Sequence, residues 1–139
     1  MIFSKTTTYA IRILVFMAGE NRKIFSAQYL FDSLAIHNRY MRRVLTRLTN
    51  TGFLISIRGK KGGYAFSRSP GKIFLSEIIE ATEGLSTLEG CIMGITDCRL
   101  SERCTLHYLW EDTRDKILAA FSNTSLLQLV HGSDFDFSS

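Results

Sequence analysis

Residues 39–66 read RYMRRVLTRLTNTGFLISIRGKKGGYAF, and this stretch decides the fold. In its first part, apolar residues recur at helical spacing and predict an amphipathic helix from about Arg39 to Asn50. Two short runs of apolar and β-branched residues follow, at 53–57 and 64–66. The loop between these runs contains three glycines, which permit a tight turn, so the two runs predict a β-hairpin. A helix followed directly by such a hairpin is typical of a winged helix.

The chain upstream of this stretch supplies two more helices. Ser4 is the expected N-cap of a first helix that runs to about Gly19, and Ser26 is the expected N-cap of a second helix over residues 27–34. The four residues 35–38 form a break before the third helix. Two short helices joined by a tight turn, the second of them rich in arginine, predict a helix-turn-helix with its recognition helix.

Charge is distributed unevenly along the chain. Residues 1–72 hold thirteen Lys or Arg against two acidic residues, a balance of +11, whereas residues 73–139 hold four against eleven, a balance of −7. In the third helix, Arg39, Arg43 and Arg47 form a row at i, i+4 and i+8, and this helix has no acidic residue. A solvated basic face is the alternative, but such faces usually carry both signs. The pattern therefore favours a half that binds a polyanion.

The expected DNA contacts follow from this arrangement. Arginines of the third helix would read base edges in the major groove, and cations at the hairpin tip would reach the backbone or the minor groove. The residues predicted to bind DNA are Lys5, Ser26, Arg39, Tyr40, Arg42, Arg43, Arg47, Arg58, Lys60 and Lys61. Among them, Arg39, Arg42 and Arg43 are expected to enter the major groove, and Arg47 and Lys5 to contact phosphates.

The acidic half predicts two further helices. Ser76 is expected to cap a short helix that ends near Thr82, and a long helix is expected from about Cys104 to Ser122. One face of the long helix is apolar, which favours contact with a second copy of the chain, with packing back onto its own domain as the alternative. The predicted dimerisation residues are Leu106, Trp110, Ile117 and Phe121.

The expected fold class is mainly α with a small β-hairpin, a winged helix-turn-helix followed by a long C-terminal dimerisation helix. We divide the chain into a DNA-binding domain (1–84), a cysteine cluster loop (85–104), a dimerisation helix with a short C-terminal helix (105–130) and a polar tail without strong structure (131–139). Neither a signal peptide nor a membrane span is readable. An odd number of cysteines without a secretory signal favours a reducing, cytoplasmic compartment.

All three cysteines fall within fourteen residues, in the pattern Cys91-x6-Cys98-x5-Cys104-x2-His107. Three thiols and an imidazole suit zinc or an iron–sulfur cluster. The paired C-x2-C knuckles common in structural zinc sites are absent, and the longer spacings favour a cluster. Zinc and metal-free redox thiols stay open. No third orienting group or substrate pocket accompanies a Cys–His pair, so we do not expect an enzyme.

The chain resembles a family of winged-helix regulators that includes the IscR, NsrR, RirA and CymR types, and it is most similar to IscR-like members. The resemblance covers about residues 2–130. It rests on SKTTTYAIRILVFMA (4–18), RYMRRVLTRLTNTGFLISIRGKKGGY (39–64), SEIIEATEG (76–84), CTLHYLWEDT (104–113) and SLLQLV (125–130). The hairpin motif and the three-cysteine loop together make it specific.

This resemblance implies a homodimeric transcription factor, usually a repressor, that binds a palindromic operator in double-stranded DNA. It also implies that Cys91, Cys98 and Cys104 hold an iron–sulfur cluster, with 2Fe–2S favoured over 4Fe–4S and zinc as the alternative. His107 stands where IscR-like members place the fourth ligand. The chain departs from these members in having six residues between the first two cysteines instead of five.

Overall fold

The computed structural model describes residues 3–96, Cys98 and residues 104–132. Along these residues the chain forms helices α1 (Lys5–Gly19), α2 (Ala27–Leu34) and α3 (Asn38–Asn50), strands β1 (Leu54–Ile57) and β2 (Gly63–Phe66), and helices α4 (Leu75–Thr82), α5 (Thr105–Ser122) and α6 (Leu126–Gly132). Short 3-10 turns lie at Pro70–Lys72 and Leu85–Leu88. The predicted fold class, mainly helical with one small antiparallel hairpin, is confirmed.

Capping side chains begin the first three helices. The Ser4 and Ser26 hydroxyls each accept a hydrogen bond from the backbone N–H three residues later, at 3.3 and 3.1 Å. α3 begins at Asn38, one residue earlier than predicted, because the His37 side chain occupies the N-cap. Ala35 ends α2 with a φ of 51°, in the left-handed region. The turn of the helix-turn-helix is therefore only three residues long.

α4 begins differently from the sequence prediction. The expectation that Ser76 caps this helix is wrong, because Ser76 lies inside the first turn and Phe74 occupies the N-cap position. The Glu77 carboxylate accepts the Phe74 N–H at 2.9 Å and pairs with Arg68 at 3.0 Å. The Glu77 carboxylate thus satisfies the N–H of the N-cap residue, which is the bond that an N3 glutamate forms in a capping box, and it also faces the positive end of the helix dipole.

Backbone hydrogen bonds attach the wing to the helix-turn-helix. β1 and β2 pair in antiparallel register, with Ile57 opposite Gly63. Phe25, just before α2, exchanges two backbone hydrogen bonds with Tyr64 of β2, at 2.8 and 2.7 Å. Gly63 permits this approach, since its φ is +152° and a Cβ there would lie 2.2 Å from the Phe25 carbonyl oxygen. The wing and α2 are therefore held as one unit.

The hydrophobic core lies between α1, α2, α3 and the wing, and α6 returns to it from the far end of the chain. Its fully buried side chains include Ile13, Leu14, Leu30, Leu34, Met41, Val44, Leu45, Leu48, Ile73 and Leu126. The Leu126 N–H donates to the Ile73 carbonyl at 3.0 Å, and the Leu75 N–H donates to the Thr124 carbonyl at 3.0 Å. The C-terminal end of α5 is therefore fixed to the winged core.

α6 reaches two residues into the segment that we expected to be a tail, because His131 and Gly132 are helical. Residues 133–139 lie outside the described residues. Within the part of the chain that the structure describes, no helix has both the length and the apolar character needed to cross a membrane.

Candidate DNA-binding surface and cysteine cluster

α3 presents arginines to solvent because its opposite side is buried. The side chains that hold it in the core are Met41, Val44, Leu45 and Leu48. Arg39, Arg42 and Arg43 are exposed, and the Arg42 Nε–H donates to Asn38 Oδ1 at 3.1 Å. Arg39 and Arg43 line a shallow cavity of about 130 Å³ together with Tyr40. The three arginines predicted to enter the major groove thus share the exposed side of one helix.

Two other predicted DNA contacts lie on the flank of α3 and touch the protein itself. The Tyr40 ring packs edge-on against Tyr9 of α1, with the ring centroids 5.9 Å apart. The Arg47 guanidinium donates from Nε to the Ala81 carbonyl at 3.0 Å and from Nη2 to the Thr82 carbonyl at 3.3 Å. Sequence reasoning missed these bonds, because the carbonyls lie 34 and 35 residues away and leave no local signal. A phosphate contact by Arg47 stays a prediction.

The remaining predicted DNA contacts lie at the starts of two helices and on the wing. Lys5 and Ser26 are exposed, and the Ser26 hydroxyl already caps α2. The wing cations Arg58, Lys60 and Lys61 are all exposed. The wing turn is closed by a hydrogen bond from the Gly62 N–H to the Gly59 carbonyl at 3.0 Å. The fold therefore puts a second group of cations in the loop between the two strands.

Some cations of the basic half are engaged inside the chain. An Arg12 Nη2–H donates to the Leu34 carbonyl at the C-terminus of α2, at 3.1 Å. Arg68 pairs with Glu77 at 3.0 Å, as described above. The balance of +11 in residues 1–72 therefore overstates the positive charge that the exposed face offers to a polyanion.

The cysteine segment starts in a tight turn. The Cys91 carbonyl accepts the Gly94 N–H at 2.8 Å, and the Cys91 sulfur accepts the Met93 N–H at 3.4 Å. Gly90 and Gly94 have φ values of +84° and +74°, which glycine adopts without a steric cost. The start of the segment is therefore a turn that brings a backbone N–H to the Cys91 sulfur.

Trp110 joins this segment to α5. Its indole Nε1–H donates to the Gly90 carbonyl at 3.0 Å. We predicted Trp110 as a dimerisation residue, and no local pattern pointed to the Gly90 carbonyl, 20 residues away along the chain. The bond places the residue just before Cys91 against the first half of α5.

Cys104 and His107 share the first turn of α5. Cys104 is the N-cap, and its carbonyl accepts the His107 N–H at 3.1 Å. The His107 Nε2 lies 3.7 Å from the Glu111 carboxylate. We did not single out Glu111 from the sequence, although its i, i+4 spacing from His107 on a helix is the signal that identifies such a pair.

The fit of a metal group to these residues rests on their chemistry. All three thiols are free and partly exposed. Among the described residues, no three His, Cys, Asp or Glu side chains are gathered as a metal site. Three thiols and an imidazole are nonetheless the ligand types that an iron–sulfur cluster or zinc takes. The Cys91 sulfur in addition accepts a backbone hydrogen bond. Ligation by Cys91, Cys98, Cys104 and His107 stays a prediction.

The predicted dimerisation stripe is only partly free. Its residues Leu106, Trp110, Ile117 and Phe121 are all half-buried within the single chain. Phe121 lies 5.9 Å from the Phe3 ring, centroid to centroid, and α5 packs against α4. Tyr108 and Leu109, outside this stripe, are 54% and 61% exposed. Packing onto the chain's own domain thus accounts for part of the stripe, and dimerisation itself stays a prediction.

Comparison with known proteins places this arrangement among bacterial regulators. The Rrf2 family of iron-dependent transcriptional regulators matches residues 3–132. The HTH-type transcriptional regulator NsrR of Bacillus licheniformis is 26% identical over 136 residues, which cover 96% of this chain and 95% of the relative. The HTH-type transcriptional regulator IscR of Xenorhabdus nematophila is 33% identical over 95 residues, which cover 68% of this chain and 57% of the relative.

A solved structure supports the same conclusion. CymR, the global cysteine regulator of B. subtilis, superposes with a TM-score of 0.79 at 25% identity, covering 95% of this chain and 98% of that one. The predicted winged-helix fold is confirmed by this likeness. The expectation that the chain is not an enzyme is also confirmed, because its relatives are transcriptional regulators. Matched along nearly its whole length, the chain belongs to the Rrf2 family of transcriptional regulators.

Proposed function

We propose that this protein is a homodimeric repressor that binds a palindromic DNA operator, and that an iron–sulfur cluster sets its affinity for that operator. The observation that carries the proposal is the placement of exposed arginines on one helix, with exposed cations on the adjoining wing. Three cysteines and a histidine follow in a segment that is tied to the next long helix. Family membership supports the DNA-binding regulator, and the family's iron dependence supports the cluster.

DNA reading is assigned to two groups of cations. Arg39, Arg42 and Arg43 would face the major groove, where an arginine guanidinium pairs with the O6 and N7 atoms of guanine. Arg58 and the wing lysines would lie near the backbone or the minor groove. Because such contacts displace counterions, the affinity should fall steeply as salt concentration rises.

The proposed ligands are Cys91, Cys98, Cys104 and His107. When bound, the cluster would supply a redox-active centre whose loss or gain changes how the cysteine segment is held. The residues themselves do the rest of the work. Cys104 and His107 sit in the first turn of α5, and the Trp110 indole fastens the start of the segment to the same helix. Ordering of this segment would therefore change the position of α5 relative to the winged domain.

The second copy of the chain is proposed to pack along α5. The exposed Tyr108 and Leu109 side chains offer apolar surface beyond the half-buried stripe. A palindromic operator requires a fixed distance between the two recognition helices, so a shift at this interface would change operator affinity.

Two measurements test the proposal. The absorption spectrum of anaerobically purified protein should show the charge-transfer bands of an iron–sulfur cluster, and a colourless protein with one zinc per chain would rule the cluster out. Operator affinity measured across a salt series should decline linearly on logarithmic axes. Binding without salt dependence would contradict the phosphate contacts and would favour a winged helix that binds other proteins.

A further inference from the structure

Arg47 is exposed like the other arginines of α3, but its guanidinium is hydrogen-bonded within the chain. Its guanidinium donates to the carbonyls of Ala81 and Thr82, at 3.0 and 3.3 Å. These carbonyls belong to the last two residues of α4. Its neighbour on the same row, Arg43, is exposed as well, but among the described residues its side chain forms no hydrogen bond within the chain.

The chemistry of this contact is that of a helix C-terminus held by a cation. The last carbonyls of a helix lack intrahelical partners and carry the negative end of the helix dipole. The planar guanidinium offers several N–H groups in a fixed arrangement, so one arginine satisfies two neighbouring carbonyls. A lysine has the same charge but presents a single ammonium group.

The C-terminus of α4 is also fixed to α1. The Thr82 hydroxyl lies 2.7 Å from the Thr7 hydroxyl, in a buried contact, and the Ser4 N–H donates to the Glu83 carboxylate at 3.1 Å. The chain continues from here into the 3-10 turn at Leu85–Leu88 and reaches Cys91. Arg47 therefore bonds α3 directly to α4, the last α-helix before the cysteine segment.

We propose that Arg47 is a positioning residue that fixes the recognition helix to the C-terminus of α4, and through α4 to the cysteine segment, instead of contacting DNA. The inference rests on the proposed function, because positioning matters only if α3 reads DNA. It replaces the expected phosphate contact of Arg47 with a link between the cysteine segment and the recognition helix α3.

Amide hydrogen exchange of the free protein gives the first test, since it needs no DNA. The amides of Glu83 and Gly84 both donate to the Ile79 carbonyl at 3.0 Å and report on the end of α4. In Arg47→Gln and Arg47→Lys these amides should exchange about two- to tenfold faster, the range that one ordinary net hydrogen bond corresponds to. Arg43→Gln is the matched control and should leave their exchange unchanged.

Operator binding across a salt series gives the second test. Arg47→Gln and Arg47→Lys should weaken binding to a similar degree and leave the salt slope unchanged. Lys61→Gln, on the wing, should instead reduce the slope by about one per chain. The ratio of operator affinities between cluster-loaded and cluster-free protein should also fall in both Arg47 variants. A purely structural role of Arg47 would leave this ratio unchanged.

The outcomes separate this inference from the proposed function. A slope lowered by about one per chain in Arg47→Gln, with affinity retained in Arg47→Lys, would show that Arg47 contacts a phosphate and would overturn the inference. Unchanged exchange at Glu83 and Gly84 would overturn it as well, as would an unchanged affinity ratio. If wild-type protein binds no DNA, the proposed function fails, while the exchange experiment still decides whether Arg47 holds α4.

Discussion

Gly63→Ala should destabilise the protein by separating the wing from α2. The new Cβ would lie 2.2 Å from the Phe25 carbonyl oxygen and 2.6 Å from the Phe25 carbonyl carbon. Both are backbone atoms, so no side-chain rotation relieves the contact. The Phe25–Tyr64 pair, with its two hydrogen bonds of 2.8 and 2.7 Å, must therefore open.

The magnitude follows from the bonds lost and from the backbone conformation. Two ordinary backbone hydrogen bonds correspond to about 1–3 kcal/mol of net stabilisation. An alanine held at a φ of +152° adds a strain of about 1–3 kcal/mol. We expect the free energy of unfolding to fall by about 2–6 kcal/mol in total, a large fraction of the stability of a small domain.

Gly59→Ala is the matched control, because Gly59 lies in the same wing turn with a φ of +109° and has no atom within 4 Å of the position that an alanine Cβ would take. It carries the strain but not the clash. Urea unfolding of both variants should show Gly63→Ala to be the less stable by about 1–3 kcal/mol, with similar m-values. Equal stability of the two variants would refute the idea that the Phe25–Tyr64 pair holds the wing.

Three further predictions concern the cysteine segment and α5. Trp110→Phe keeps an aromatic ring but removes the N–H that is bonded to the Gly90 carbonyl. The visible absorbance of the cluster should therefore decay about two- to tenfold faster in air. An unchanged decay would mean that this bond does not hold the cysteine segment. His107→Ala should likewise make the cluster labile, and an unaltered spectrum and lifetime would remove His107 from the ligands. Leu109→Lys, at a side chain 61% exposed in the single chain, should weaken self-association by about 1.5–3 kcal/mol per chain if a second copy covers it. Sedimentation equilibrium checks this last prediction, and an unchanged dimer constant would place the interface elsewhere on α5.

Capping residues in the sequence predicted the starts of α1 and α2 well. The prediction failed at α4, whose first turn is also held by a partner farther away along the chain. Ser4 and Ser26 cap α1 and α2 as expected, since the bonds involved span only three residues. Ser76 was misread because Glu77, three residues after Phe74, reaches back to the Phe74 N–H and is itself held by Arg68. The Glu77 spacing was available in the sequence, but the Arg68 pairing was not.

The basic row on α3 shows a second limit of sequence reasoning. A step of four residues advances about 40° around an α-helix, so Arg47 lies roughly 80° from Arg39 on the helix surface. An i, i+4, i+8 row therefore drifts from the exposed side toward a flank, and Arg47 meets α4 there. The drift is readable from the sequence, but the identity of the element at that flank depends on the tertiary fold. For the cysteines, the sequence identified candidate ligands, while the hydrogen bond from Trp110 to the Gly90 carbonyl beside Cys91 depends on the tertiary fold.

The anchoring of α6 in the core fixes the C-terminal end of α5, so a rigid tilt of α5 would displace its N-terminal end most. Only three residues separate Ser122 from Leu126, and the Thr124 carbonyl among them is bonded to Leu75. α5 has 18 residues and is therefore about 27 Å long. A tilt of about 10° about the C-terminal end would displace the N-terminal end by about 5 Å. Cys104 and His107 lie at the N-terminal end of α5, where a small restraint has the greatest effect on the direction of the whole helix.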